Sequence, residues 1–365
     1  MDIETKLMKI REGTEEIITE EELKMLLETG GGKGYLGFEP SGVFHIGWIV
    51  WALKFKDLIE AGFKMKLLSA TWHAWINDKF GGDMDLIRKA SDHIIEVLDL
   101  LGVKRGSYEL VYAEDLVSDK DYWALLLRAA KYTTLARAKR ALTIMGRRAE
   151  EAETDFSKLI YPFMQVTDIF YMDLDLALGG IDQRKAHMLT RELADKLKKK
   201  KIVAIHTPLI PSLKGPEAGR METSVSLEID EKYSSSKMSK SKPETAIFVI
   251  DSPEEIRSKI HKAYCPPKIV EENPIISIAE NIILRIKRSM KIERPLRYGG
   301  DITISNREEL RKIYSEGSLH PLDLKENVAR ELIDILTPVR EELIKRGSID
   351  IAKYLMSKVS RSLEK

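Results

Sequence analysis

From residue 34 onward, the sequence alternates short apolar runs with longer segments in which apolar residues recur at helical spacing. This alternation is typical of parallel strands joined by crossover helices, because consecutive parallel strands need a long connection between them. It predicts an α/β domain with strands at 34–38, 66–72, 108–112, 174–178 and 202–205, and with helices at 45–61, 85–101 and 182–200.

A helical region from about residue 119 to 172 interrupts the alternation and predicts an insertion in the sheet domain. Residues 216–243 are rich in Ser, Lys and Gly, which predicts a mobile loop. Beyond them strand patterns nearly vanish, and helices are predicted at 252–263, 274–287, 307–314, 324–345 and 349–363. The 365 residues suffice for about two domains, and the second is predicted to be a helical bundle.

The composition excludes several classes of protein. Lys and Arg number 59 against 58 Asp and Glu, so the net charge of +1 excludes a globally basic surface for nucleic acid. Cys265 is the only cysteine, which excludes an intrachain disulfide, and the seven histidines show no metal-ligand spacing. Neither a signal-peptide pattern nor an apolar run of membrane-spanning length is found, so a cytoplasmic protein is expected. High charge with only two glutamines is typical of hyperthermophile proteins.

Residues 40–47, PSGVFHIG, occupy the turn between the first predicted strand and its helix. Ligands of doubly wound sheets bind at such turns, and a helix N-terminus favours phosphate. Gly42 and Gly47 would let the backbone approach a nucleotide, and His45 could donate to a phosphate oxygen. A second interpretation makes His45 a residue at a helix start with a surface hydrogen bond.

Residues 237–241, KMSKS, follow three serines in the predicted mobile loop. Lys237 and Lys240 could close over a polyphosphate and neutralise the charge that develops in a transition state. The alternative is a solvated charged loop. The occurrence of this motif together with the turn at 40–47 favours the phosphate-binding interpretation.

Two further groups of polar residues fall on predicted elements. Tyr161, Gln165 and Asp168 are spaced i, i+4 and i+7, so they share one face of a helix and can converge on one small ligand. Residues 179–185, GGIDQRK, form another turn from strand to helix, in which Asp182 is either a ligand-binding acid or a helix N-cap.

The motifs at 45–48 and 237–241 resemble the HIGH and KMSKS signatures of class I aminoacyl-tRNA synthetases, with Trp48 in place of the second histidine. The sequence from about residue 16 to the last helices resembles the archaeal tyrosyl-tRNA synthetase family. The resemblance implies a Rossmann-like catalytic domain at 1–225 with an insertion at about 115–160, a KMSKS loop at 226–246 and a helical anticodon-binding domain at 247–365.

The resemblance also implies roles for individual residues. Tyr35 and Asp168 would hold the phenolic hydroxyl of L-tyrosine, and Tyr161, Gln165 and Gln183 its ammonium group. Glu39, also a tyrosine-binding position of that family, would lie near the ammonium group, and His73 would line the pocket. The expected ATP-binding residues are Gly37, Gly42, His45, Gly47, Gly180, Asp182, Met238 and Ser239.

For catalysis the resemblance implies His45, Lys237 and Lys240, with Mg²⁺ carried by ATP and mainly held by its phosphates. It implies tRNA(Tyr) as a partner, with Arg140, Arg184 and Lys185 facing the acceptor stem. The expected anticodon contacts are made by Tyr298, His320 and Asp323. It further implies a homodimer.

Two alternatives stay open at this point. A tryptophanyl-tRNA synthetase shares the fold and both signatures, although Asp168 with Tyr35 favours tyrosine. A synthetase-like RNA-binding protein without catalytic activity is the other, although such a protein is expected to have eroded signatures, whereas residues 237–241 are complete.

Overall fold

The computed structural model describes residues 1–141, 155–216, 238 and 243–361. Within these ranges the chain forms two compact units. The first contains Met1–Gly42 and the described part of Trp51–Pro208. The second contains Val43–Val50 and residues 209–216, 238 and 243–361.

The first unit is built on a six-stranded sheet in the order β1-β6-β5-β2-β3-β4. Its strands are β1 (Glu16–Ile18), β2 (Lys33–Phe38), β3 (Lys64–Ser69), β4 (Glu109–Tyr112), β5 (Leu176–Gly180) and β6 (Val203–Thr207). All pairs are parallel except β1 with β6. Every residue of β6 and nearly every residue of β5 is buried, which explains why these strands read as continuous apolar runs. The predicted parallel sheet is confirmed.

The helices of the first unit connect these strands. They are α1 (Ile3–Arg11), α2 (Glu20–Glu28), α4 (Thr71–Ile76), α5 (Met84–Leu100), α6 (Ala113–Val117), α7 (Lys120–Lys131), α8 (Leu135–Ala141), α9 (Tyr161–Tyr171) and α10 (Arg184–Leu197), and α3 (Gly47–Ala61) begins within the second unit. Carboxylates cap three of them: Asp2 accepts from the first turn of α1, Asp83 from that of α5, and Asp119 from that of α7.

Two local predictions were wrong in detail, and one strand was not predicted. The strand predicted to reach residue 72 ends at Ser69, because the Ala70 amide bonds Phe38 and α4 begins at Thr71. The helix predicted from residue 45 begins at Gly47, because the backbone of residues 44–46 pairs with residues 247–249 instead. Strand β1 was not predicted, since three residues are too few to show a period of two.

The second unit is mainly helical, as predicted. Its helices are α11 (Pro253–Lys262), α12 (residues 274–287, with a π-helical turn at Ala279–Ile283), α13 (Arg307–Glu316), α14 (Pro321–Lys345) and α15 (Ser348–Arg361). A short antiparallel pair, β7 (Met290–Ile292) with β8 (Ile302–Ile304), was not predicted. Helix α14 begins three residues earlier than expected because the His320 ring accepts from the Leu322 amide and caps it.

Several predictions concern residues outside the described ranges. They concern Lys237 and Lys240, which are predicted to be catalytic, Ser239, which is predicted to contact ATP, most of the loop at 216–243 and part of the insertion. In the part of the chain that the structure describes, no helix is long and apolar enough to cross a membrane. The same ranges contain no group of three or more His, Cys, Asp or Glu residues that could hold a metal ion.

Candidate active site

The carboxylate of Asp168 is the centre of a polar cluster inside the first unit. Asp168 is 1% exposed on α9. Its Oδ1 accepts a hydrogen bond from the Tyr122 hydroxyl at 2.7 Å, and its Oδ2 lies 3.0 Å from His73 Nε2. The His73 ring packs edge-on against the ring of Tyr161, with centroids 5.1 Å apart. Helices α4 and α7 thus each place one polar side chain against the buried carboxylate that α9 carries.

The charge of this carboxylate acts on three buried tyrosines. Burial, and secondarily the charge of Asp168, raises the pKa of Tyr35 and of Tyr122 above the usual range. Burial and the carboxylate of Glu39 raise the pKa of Tyr161 in the same direction. All three hydroxyls therefore stay protonated at neutral pH and can donate hydrogen bonds. The cluster combines one buried acceptor with several neutral donors, which suits a neutral hydroxyl of a ligand.

Glu39 follows strand β2 and is the second carboxylate of the site, after Asp168. Its Oε1 accepts from Asn77 Nδ2 at 2.8 Å and from the Tyr161 hydroxyl at 3.5 Å. Its Oε2 lies 3.5 Å from Lys79 Nζ. Tyr161 therefore links the two carboxylates indirectly, since its ring packs on His73, which contacts Asp168, and its hydroxyl reaches Glu39.

The two glutamines of the chain meet, although 18 residues separate them. Gln165 Nε2 donates to Gln183 Oε1 at 3.1 Å. Gln165 lies one turn after Tyr161 on α9, whereas Gln183 ends the 3₁₀ turn Ile181–Gln183 that follows β5. Helix α10 begins only at Arg184, so Asp182 is not its N-cap and lies 9% exposed in the preceding turn. The structure thus brings Gln165 against Gln183, and His73 against both Asp168 and Tyr161.

The turn at 42–47 has a geometry that only glycine permits at two positions. Gly42 has a φ of 149°, which L side chains rarely adopt. A Cβ on Gly47 would lie 2.9 Å from Cε1 of His45, so a larger residue would displace that ring. His45 is 7% exposed in the second unit, and the Trp48 ring packs against it with centroids 5.3 Å apart. Trp48 thus supports His45 by contact where the HIGH signature has a histidine.

Comparison with known proteins decides the family. Residues 31–337 match the family model of class I tRNA synthetases for tryptophan and tyrosine. The chain is 58% identical over 342 residues to the tyrosine–tRNA ligase of Aeropyrum pernix, covering 93% of both chains. It is 54% identical over 364 residues to that of Saccharolobus solfataricus, covering 100% of this chain and 98% of the relative.

The chain belongs to the archaeal tyrosyl-tRNA synthetase family. A solved structure supports the assignment: the tyrosyl-tRNA synthetase of Pyrococcus horikoshii complexed with L-tyrosine is 39% identical, has a TM-score of 0.88, and is matched over 97% of this chain and 100% of that one. The class I fold and the aminoacyl-tRNA ligase class expected from the sequence are thereby confirmed.

The basic residues predicted to face the acceptor stem of this synthetase lie in different environments. Arg140 is exposed on α8, whereas Lys185 is only 7% exposed. Arg184 Nε donates to both carboxylate oxygens of Glu16, at 2.9 and 3.1 Å. The hydrogen bond from His206, together with Arg184, lowers the pKa of Glu16 to about 2. The ion pair fixes Arg184 beside the turn that carries Gln183.

The residues predicted to read the anticodon lie in two segments of the second unit, one with Tyr298 and one with His320 and Asp323, and these segments are next to each other. Arg294 joins them, because its Nε donates to the Gly300 carbonyl and its Nη1 to the Ser318 carbonyl, both at 2.6 Å. His320 is exposed at the start of α14, and Asp323 follows in its first turn. The side chain of Tyr298 lies outside the described part of the structure.

Sequence reasoning missed several residues that complete the site. Tyr122, Asn77 and Lys79 contact predicted pocket residues, and Arg294 joins the two predicted anticodon segments. Tyr122 is weakly indicated by the sequence. It stands at an apolar position of α7, and the hydroxyl of a buried tyrosine needs a hydrogen-bond partner. The other three lie in loops, where periodicity gives no indication of contact.

Proposed function

We propose that this synthetase is a tyrosine–tRNA ligase that works in two steps. The carboxylate of L-tyrosine attacks the α-phosphorus of ATP, which forms tyrosyl-adenylate and releases pyrophosphate. The tyrosyl group then passes to the 3′-terminal ribose of tRNA(Tyr), and AMP leaves. Neither step requires a protein nucleophile, so the enzyme acts by positioning and by stabilising charge.

The buried carboxylate of Asp168 carries the proposal for tyrosine. Asp168 can accept a hydrogen bond from the substrate's phenolic hydroxyl, and the protonated hydroxyl of Tyr35 can donate one to it. Phenylalanine lacks the hydroxyl and would leave these buried groups without their partner, which is strongly unfavourable. Tryptophan can donate its indole N–H to a carboxylate, but it cannot accept the hydrogen bond from the Tyr35 hydroxyl, so the combination of Asp168 with Tyr35 favours tyrosine.

The other end of the pocket suits the substrate's ammonium group. Tyr161, Gln165 and Gln183 offer oxygen acceptors, Gln165 lies against Gln183, and Tyr161 lies against Glu39, whose negative charge Lys79 balances in part. Amide oxygens at Gln165 and Gln183 bind a cation without adding charge to the pocket. This chemistry explains why a chain with only two glutamines has both at this site.

The family uses ATP, and we assign its binding to Gly37, Gly42, His45, Gly47, Gly180, Asp182, Met238 and Ser239. His45 would donate to the phosphates, and Lys237 and Lys240 would stabilise the charge on departing pyrophosphate. Mg²⁺ would arrive with ATP, held mainly by phosphate oxygens. The division into a catalytic domain at 1–225, a KMSKS loop at 226–246 and a helical domain at 247–365 belongs to the same proposal.

For tRNA we propose that Arg140, Arg184 and Lys185 meet the acceptor stem and that Tyr298, His320 and Asp323 meet the anticodon. Asp323 can accept from the edge of a guanine, and an aromatic ring at 298 can stack on an unpaired base. The contacts of Arg294 support this assignment, because they hold the two anticodon segments together.

We propose a homodimer in the cytoplasm. Two large apolar side chains on α7 support the dimer, since Trp123 is 43% and Leu127 is 67% exposed one turn apart. Leu135, at the start of α8, is 61% exposed. Exposed apolar patches of this kind are typical of protein–protein interfaces.

The test is ATP–pyrophosphate exchange with tyrosine, phenylalanine and tryptophan, followed by charging of tRNA(Tyr). We expect exchange with tyrosine alone and loss of its discrimination against phenylalanine in Asp168→Asn. Exchange that depends on tryptophan would establish the alternative synthetase. Absence of exchange with every amino acid, together with tRNA binding, would establish a non-catalytic RNA-binding protein.

A further inference from the structure

Lys158 is a buried lysine with no role in the proposed chemistry. It lies in the 3₁₀ turn Phe156–Leu159 just before α9 and is 4% exposed. Its ammonium group donates to the Ile76 carbonyl and to the Asp78 carboxylate, and it lies 3.0 Å from Asp155. Burying a charged amine is unfavourable unless its donors are satisfied, and here three oxygens satisfy them.

The contacts of Lys158 hold the residues on both sides of Asn77. The carbonyl of Ile76 and the side chain of Asp78 stand on either side of Asn77, where α4 ends. The chain beyond this point is unfavourable for L residues, because Asp78 has a φ of 55° and Phe80 a φ of 53°. Contacts outside the turn must therefore hold it, and Lys158 supplies two of them.

Asn77 carries this constraint to the pocket. It is 2% exposed, and its Nδ2 donates to Glu39 Oε1 at 2.8 Å. Lys79, two residues further along the same turn, lies 3.5 Å from Glu39 Oε2. The turn at 77–79 therefore places one partner on each oxygen of Glu39.

We propose that Lys158 is a positioning residue for tyrosine binding, which acts through Asn77 to orient the carboxylate of Glu39. It joins the 3₁₀ turn just before α9 to the end of the pocket that receives the substrate's ammonium group. The inference rests on the proposed function of the pocket and adds a specific residue to it.

The experiment measures KM for tyrosine, KM for ATP and kcat by tyrosine-dependent pyrophosphate exchange in Lys158→Met. We expect KM for tyrosine to rise about tenfold, the equivalent of about 1.4 kcal/mol, with KM for ATP and kcat nearly unchanged. Asn77→Ala should produce a similar rise. Because both act on Glu39, the double variant should lose much less than the product of the two effects.

Lys54 offers a matched control in the same unit. It is also buried, at 1% exposed, and its ammonium group donates to three carbonyls at the end of α1, those of Lys9, Ile10 and Glu12. None of these residues belongs to the pocket. Lys54→Met should therefore lower the melting temperature while leaving KM for tyrosine unchanged.

An unchanged KM for tyrosine in Lys158→Met, or the same rise in Lys54→Met, overturns the proposal and leaves Lys158 a structural residue only. Multiplicative effects of Lys158→Met and Asn77→Ala overturn it as well. If Lys158→Met does not fold, Lys158→Gln replaces it, since its amide can still donate to one oxygen, and an unchanged KM again overturns the proposal. Failure of the wild-type enzyme to exchange with tyrosine would instead refute the proposed function.

Discussion

The hydrogen bond from Tyr122 to Asp168 gives the most decisive test of the pocket. Both residues are at most 1% exposed, and the donor–acceptor distance is 2.7 Å. Tyr122→Phe removes one oxygen atom and leaves the ring in place. Hydrogen bonds to a charged group contribute about 1.5–3 kcal/mol, so loss of the fixed carboxylate orientation should raise KM for tyrosine roughly ten- to a hundredfold.

The assay is tyrosine-dependent pyrophosphate exchange at saturating ATP, with ATP varied separately. We expect KM for ATP to change less than about twofold. In free energy this is well below the roughly 1.4 kcal/mol that corresponds to a tenfold change. Tyr314→Phe is the control, because Tyr314 is also fully buried and its hydroxyl donates to the Pro266 carbonyl at 2.9 Å in the second unit. It should lower thermal stability and leave KM for tyrosine unchanged.

Two results would refute this reasoning about Asp168. One is a Tyr122→Phe enzyme whose KM for tyrosine equals that of the wild type, because the carboxylate would then not need its protein donor. The other is an equal rise in the KM values for tyrosine and ATP, which would show a general disturbance of the fold rather than a change in recognition of the hydroxyl.

Three further predictions concern other parts of the enzyme. The pKa of Glu16 is lowered from 4.5 to about 2, so its ionised form should stabilise the fold fully above pH 4.5 and lose that effect as the pH falls to 2. The melting-temperature difference between wild type and Glu16→Gln should therefore shrink over this interval, and a constant difference would contradict the assignment. For the proposed homodimer, light scattering should show a monomer in Leu127→Glu and a dimer in Ile344→Glu, which alters an exposed apolar site in the second unit. Dimers in both variants would exclude the α7 interface. Lys237→Ala should slow single-turnover adenylate formation far more than it weakens tyrosine binding, and equal losses would exclude a role confined to the transition state.

The pattern of helices and strands was predictable because its determinants are local. The alternation of apolar runs identified β2 to β6 apart from their ends, since buried parallel strands and amphipathic helices have different periods. The ends were less predictable. The start of α3 at Gly47 depends on backbone pairing of residues 44–46 with residues 247–249, and no local signal reports a partner 200 residues away.

The candidate site was predictable where residues share an element or a motif. Tyr161, Gln165 and Asp168 group together by helical spacing alone, and the family resemblance supplied the rest. Tyr122, Asn77 and Lys158 could not be found in this way, because each contacts its partner across elements that are distant in the sequence.

The sequence by itself determined the fold class and the order of elements, and it contains the two motifs on which the prediction of phosphate binding rests. Periodicity, turn residues and short motifs are properties of neighbouring residues. Only the tertiary structure decided which side chains surround Asp168 and Glu39. A buried carboxylate must be met by donors wherever the chain can supply them, and here packing brings them from α4, α7 and the turn at 77–79. The composition records the two glutamines, but the fold is what places one against the other.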